Sequence, residues 1–259
     1  MKCEYLNHMG TDLTCVNAAR VSFSAVSTEL SKKDKGLIQF LARGCMKGDW
    51  DSAIEQVRDA EQYGQDSENK IESILKHVKN MPTHWTPFSH AMISMRETVP
   101  IFVARQTFKH QIGFTRNEVS RRYVDDTPEF HVPEVWRARP VGGIKQGSGS
   151  DSYLDLKERF DVGRGGAIGI HQAYADFTDA AEELYTNMVN SGVAPEQARM
   201  VLPQSMLTTY WVTGSLYAWA NAYIQRSDPH AQLEIQELAK QWDTIIKPLF
   251  PESWKALTK

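Results

Sequence analysis

At Pro100 the periodicity of this chain changes, and that change does most to limit the fold. Residues 91–98, AMISMRET, read as a strand, and Pro100 then opens a helix over about 100–111, because the first helical position has no use for the N–H that proline lacks. An earlier stretch, LSKKDKGLIQFLARG, places Leu37, Ile38 and Leu41 at helical spacing and ends on Gly44. The acidic, polar segment from about 48 to 80 carries Ile71, Ile74, Leu75 and Val78 and reads as a peripheral helical insertion with little chemistry. Glycine-rich stretches between 137 and 169 predict long surface loops around a short helical piece. Three further helices are expected over about 171–190, 195–223 and 229–247. Gly192 and Pro195 separate the first two, and Ser227, Asp228 and Pro229 mark the start of the last.

Charge and cysteine content narrow the possible functions. Across 259 residues, 29 Lys and Arg against 32 Asp and Glu leave a formal charge of −3, so no global field recruits nucleic acid or an acidic membrane, and any phosphate recognition is local. No apolar run approaches the roughly 20 residues that span a bilayer, and MKCEYLNHMGTDLTC has no basic-then-apolar leader pattern; a cytoplasmic location is expected. Cys3, Cys15 and Cys45 are odd in number and lack CxxC spacing, which argues against a disulfide framework or a thiolate zinc site. Residues 46–259 contain no cysteine, so a pyrimidine methylase that activates its base through a thiolate in that region is excluded.

Several polar groupings could carry chemistry. On the helix after Pro100, Arg105, Gln106, Lys109 and His110 share one face, suited to a phosphorylated ligand or simply to water. If TRNEVSRRY (115–123) runs extended, Glu118, Ser120 and Arg122 project to one side and Val119 and Arg121 to the other. Such a trio can hold a nucleotide phosphate and sugar, or form a surface salt bridge beside a turn. The basic cluster Arg116, Arg121 and Arg122 permits a nucleic-acid reading that Glu118, Asp125 and Asp126 dilute. His84, His90 and His110 lack metal-ligand spacing, and no metal is expected. In GVAPEQARMVLP, Glu196 and Arg199 stand three apart after Pro195, as an ion pair or with Arg199 free for phosphate; Arg226 precedes a helix junction capped by Ser227 or Asp228.

Read in order, six blocks resemble the flavin-dependent thymidylate synthases, often called ThyX: DLTCVNAARVSF (12–23), HWTPFSH (84–90), TVPIFVARQTFKHQ (98–111), NEVSRRY (117–123), GVAPEQARMVLP (192–203) and RSDPHAQLEI (226–235). The family hallmark, Arg-His-Arg, seven residues, then Ser, corresponds to Lys109-His110-Gln111, eight residues, then Ser120; an asparagine of the family falls on Ser215. The resemblance implies a single α+β domain over 1–259, a central, mostly antiparallel sheet flanked by helices, and a homotetramer whose active sites are shared between subunits. It implies FAD as cofactor, dUMP as substrate, and NADPH and 5,10-methylenetetrahydrofolate as co-substrates, with no nucleic-acid or membrane partner. By the same mapping Ser22, His84, Thr86, Lys109, His110, Gln111 and Asn221 bind FAD, and Gln106, Glu118, Ser120, Arg122, Arg199 and Arg226 bind dUMP. Arg226, Glu196 and His84 are the catalytic candidates. Two other functions remain open at this point: a flavin-dependent pyrimidine-nucleotide hydroxymethylase, and a nucleotide-binding protein without catalysis.

Overall fold

The computed structural model describes residues 1–63, 67–81, 83–137, 160–161 and 167–259. In chain order the elements are β1 (Lys2–Met9), α1 (Asp12–Arg20), α2 (Lys32–Ala42), α3 (Lys47–Tyr63), α4 (Ser67–Lys79), β2 (Met92–Pro100), α5 (Ile101–Thr107), β3 (Phe114–Glu118), β4 (Phe160–Asp161), β5 (Ala167–Ile168), α6 (Ile170–Asn190), α7 (Pro195–Ala198), β6 (Leu207–Ser215), α8 (Leu216–Ser227), α9 (Leu233–Leu249) and α10 (Pro251–Leu257). Four strands form one sheet in the order β1-β2-β6-β3, and every neighbouring pair is antiparallel. The expected α+β class, an antiparallel sheet flanked by helices, is what the chain forms.

Alternation on β2 sends Ile93, Met95, Glu97 and Val99 inward, and on β6 Thr208, Tyr210, Val212 and Gly214 face the same way. Helices α8 and α9 cover that face with Trp219, Ile235, Leu238 and Trp242, all essentially buried. The Trp219 ring meets Trp242 and Phe114 edge to face at 5.3 and 4.8 Å, and its indole N–H donates to Ile93 O at 3.2 Å. Gly214 lies under the Phe114 ring, where a Cβ would come within 2.4 Å of ring carbons, so only glycine lets β3 close on β6 there.

Each long strand runs straight into a helix. Pro100 ends β2 and is the N-cap of α5 rather than its first residue; Ile101 N–H and Phe102 N–H donate to Met206 O and Gln204 O. Ser215 ends β6 and caps α8, its hydroxyl accepting from Ala218 N–H at 3.2 Å. Ser31 and Asp34 form a capping box on α2, and buried Asp12 accepts from Glu252 N–H and Ser253 N–H, tying α1 to the start of α10.

Four expectations are corrected. Helix α5 stops at Thr107 instead of running to 111, because the backbone turns over and reaches the left-handed region at Gly113 (φ +78°) on its way into β3. The stretch 195–223 is not one helix: Pro203 stops the short helical turns of 195–201, and LTTYWVTGS, rich in β-branched and aromatic residues, becomes the central strand β6 before α8 begins. Helix α9 starts at Leu233 rather than 229; Asp228 instead accepts from His230 N–H and closes a turn. The segment from 48 to 80 contains two helices, α3 and α4, rather than one, and β1 was not anticipated. Most of the glycine-rich 137–169 stretch lies outside the described residues.

Candidate active site

The predicted ligand residues fall into three groups. The first lines a cavity of about 550 Å³ at the end of β3, bounded by Glu118, Ser120, Arg122 and Arg199, with Thr98, Thr209 and Met206 among its walls. Glu118 is oriented by Thr208, whose hydroxyl donates to its Oε1 at 2.7 Å. The extended run expected through Arg122 ends at Glu118: Tyr123 N–H returns to Ser120 O at 2.9 Å in a turn. Val119 and Arg121 therefore line the same cavity instead of facing away. Arg122 Nε–H donates to Ser120 Oγ at 3.3 Å. Among the described hydrogen bonds Ser120 has no imidazole or carboxylate partner, which suits positioning rather than nucleophilic attack. Arg121 is engaged by Asp126 at 3.1 Å and lies over the Tyr185 ring. Glu196 is exposed and outside the cavity lining; only its backbone oxygen takes part, accepting from Arg199 Nε–H at 3.3 Å.

A second cavity, about 790 Å³, brings together Ser22, His84 and Thr86 with the apolar side chains of Phe23, Leu37 and Phe40. The Phe40 and His84 rings stand 6.3 Å apart. Apolar walls edged by a hydroxyl pair and an imidazole fit a flat heteroaromatic ring with polar edges, so the residues present suit a flavin.

The third group lies where α5 ends against α8. Arg226 Nε–H donates to His110 Nε2 at 2.9 Å, and its Nη2 donates to Gln106 O at 3.0 Å. Burial, with Arg226 and Arg116 nearby, pushes the His110 pKa down to about 4, so the ring is neutral near pH 7. Because Nε2 accepts, the ring proton sits on Nδ1. The Gln106 amide donates to Gln232 Oε1 at 2.7 Å. Lys109, expected on one helical face with Arg105, Gln106 and His110, lies beyond the helix end and is exposed, as is Gln111, and Asn221 is half-buried on α8. Among the described residues of one chain none lines both cavities, and Arg226 lines neither.

Sequence reasoning missed Glu97. It is completely buried, receives hydrogen bonds from Tyr210 Oη–H and, at 2.6 Å, Trp242 Nε1–H, and burial pushes its pKa up to about 7. Its register was the available signal, since it occupies the inward row of an otherwise apolar strand face.

Burial also pushes the Cys15 and Cys45 thiols up to about 12 and that of Cys3 higher still, so none is a thiolate at neutral pH. Replacing Cys3 and Cys45 with Ser and buried Cys15 with Ala is expected to leave turnover within about threefold of wild type. Turnover of the purified, folded triple variant checks this; loss of catalysis with the fold intact would return a thiol to the mechanism. Among the described residues no His/Cys/Asp/Glu group is placed to hold a metal, and no helix is long and apolar enough to cross a membrane.

The fold superposes on the solved UMP/dUMP methylase PolB from Streptomyces cacaoi bound with 5-Br dUMP, with a TM-score of 0.66 and 24% identity, covering 99% of this chain and 94% of that one. The sequence is 31% identical to the flavin-dependent thymidylate synthase of Thermosipho melanesiensis over 89% of this chain and 94% of the relative. It is 27% identical to the same-named protein of Thermotoga neapolitana over 99% and 90%. Residues 4–252 match the family described as Thymidylate synthase complementing protein. The chain is thus an enzyme of the methyltransferase class, built on an antiparallel sheet with a pocket at its edge lined by arginines and carboxylates. It belongs to the family of the flavin-dependent thymidylate synthases.

Proposed function

We propose that this protein converts dUMP to dTMP, taking the carbon from 5,10-methylenetetrahydrofolate and the reducing electrons from NADPH through bound FAD. The observation that carries the reading is the 550 Å³ cavity in which Glu118, Ser120, Arg122 and Arg199 converge, two guanidinium groups with a hydroxyl and a carboxylate. Arg122 and Arg199 supply charge-assisted donors for the phosphate, Ser120 a further donor, and Glu118 an acceptor for the deoxyribose hydroxyl. The names of the relatives support this, as does the 5-Br dUMP held by the solved methylase of the same fold.

The net chemistry exchanges the C5–H of uracil for a C5–CH₃. The folate methylene is at the formaldehyde level, so a C5–CH₂ bond forms, the C5 proton leaves to solvent, tetrahydrofolate departs and one hydride completes the methyl group. Reduced flavin supplies that hydride when bound. Ser22, His84 and Thr86 in the apolar cavity, with His110, Asn221 and the exposed Lys109 and Gln111, would hold the flavin. Arg226 polarises the uracil ring and stabilises negative charge developing on it. Arg226, Glu196 and His84, none of which lines the nucleotide cavity of its own chain, bear on the reaction only if other subunits bring their surfaces to the nucleotide, and the separation of the two cavities within one chain supports a shared site in a homotetramer.

Arg122→Ala is expected to weaken dUMP binding by about 1.5–3 kcal/mol, roughly ten- to more than a hundredfold, and to leave flavin content unchanged. Titration of the flavin absorbance with dUMP measures both quantities. An unchanged dissociation constant would remove Arg122, and with it this placement of the nucleotide. Product mass distinguishes a methyl from a hydroxymethyl product.

A further inference from the structure

Arg116 looks from sequence like part of a basic surface cluster, but the fold turns it inward. It shares the helix-facing row of β3 with Phe114 and Glu118, directly across from Val212 of β6. Its guanidinium is held between two rings, 4.6 Å from the Phe114 centroid and 5.4 Å from that of Phe108. Nη1 donates to His110 O at 2.7 Å and Nη2 to Thr107 O at 3.0 Å. These are carbonyls at and just past the end of α5, where a helix leaves acceptors without intrahelical donors. Arg226 takes the neighbouring carbonyl, Gln106 O, and the ring of the same His110. Two guanidinium groups from β3 and α8 therefore grip one five-residue turn, Arg116 by its backbone and Arg226 by its backbone and imidazole.

We propose that Arg116 is a positioning residue, which fixes the 107–110 turn so that the His110 ring presents Nε2 to Arg226 and aims the remaining guanidinium donors at the substrate. A planar fork can hold two carbonyls at a set separation while both its faces lie against aromatic rings; an ammonium has neither the fixed fork nor the planar faces. Arg116 touches no ligand in this arrangement and acts only through His110. The inference rests on the reading of Arg226 as the uracil-polarising group, but its first test needs no nucleotide.

That test is ¹⁵N NMR of the imidazole in the ligand-free full-length protein, with the His110 signals assigned by their absence in His110→Gln. Wild type should show one tautomer, protonated at Nδ1 and accepting at Nε2. Folded Arg116→Met should show an exchange-averaged mixture, with kcat per bound flavin lowered about tenfold or more. A wild-type imidazole spectrum in folded Arg116→Met overturns the proposal. Should Arg116→Met not fold, Arg116→Lys carries the test, since it retains the charge but not the fork: an averaged tautomer supports the proposal and a wild-type spectrum defeats it. Failure of wild type to bind dUMP would instead fall on the functional reading, leaving the imidazole result to decide the role of Arg116.

Discussion

Arg226→Met should lower the rate of dUMP methylation by about 10²–10³-fold, the usual effect of removing a donor aimed at developing charge. Methionine keeps much of the aliphatic volume on α8 but supplies no N–H. Among the described residues two of the five guanidinium N–H groups are engaged, one by His110 Nε2 and one by Gln106 O. The others are available to an oxygen of the uracil ring. Two effects should therefore appear together in the variant: loss of transition-state stabilisation, seen in kcat, and release of the His110 ring. Arg226→Lys should fall between, because it keeps charge without the fork. The measurement is single-turnover dTMP formation at saturating dUMP, with flavin content and circular dichroism as controls. A folded, flavin-loaded Arg226→Met with unchanged kcat would end the assignment of Arg226 to the chemistry.

The second large effect concerns stability. Glu97 has an ordinary pKa of 4.5 and a folded value of about 7, raised by burial against the opposing hydrogen bonds of Tyr210 and Trp242 and the charge of Arg116. The folded protein thus retains a proton that the unfolded chain releases above pH 4.5. The contribution of this group is fully present below that pH and declines as pH rises to about 7, a loss on the order of 3 kcal/mol. Glu97→Gln should remove that part of the pH dependence. Its oxygen can still accept from Trp242, and its amide can donate to Tyr210 Oη, which can turn its own proton to the Thr107 hydroxyl 2.9 Å away. Glu97→Ala should remove the same pH dependence and should cost about 3–5 kcal/mol at pH 5, from a cavity and two orphaned donors, and correspondingly less relative to wild type at pH 8. Urea unfolding of all three proteins at pH 5 and pH 8 checks this. An equal slope with pH in wild type and Glu97→Gln would mean that the carboxyl is ionised in the fold.

The sequence was most legible where periodicity and local chemistry agree. The strand of 91–98, the α2 helix and the helix of 171–190 all follow from short-range pattern. It was least legible around β6. There Pro195 signals a helix start, and nothing local says that LTTYWVTGS lies between two other strands, a fact decided by pairing with β2 and β3. The site shows the same division. Glu118, Ser120, Arg122 and Arg199 do converge, although through a turn rather than along a strand. The Gln106, Lys109 and His110 face dissolves because α5 ends early. Arg116 was read as surface charge because aromatic partners eight residues back and two residues back cannot be seen to close around it until β3 folds onto α5.

The α3 and α4 pair leaves the body through a narrow neck. Thr83 N–H donates to Arg43 O at 3.1 Å, Gly44 N–H to Asp49 Oδ2 at 2.9 Å and Trp50 Nε1–H to Gly44 O at 3.1 Å, with Gly44 (φ +72°) packed against the Thr83 and Met81 side chains. The chain thus returns to where it left, and His84 and Thr86 resume beside α2 irrespective of how many residues intervene. Evolution has here a graft point: a module can be lengthened, exchanged or trimmed at that neck while the cavity of Ser22, His84 and Thr86 stays in register.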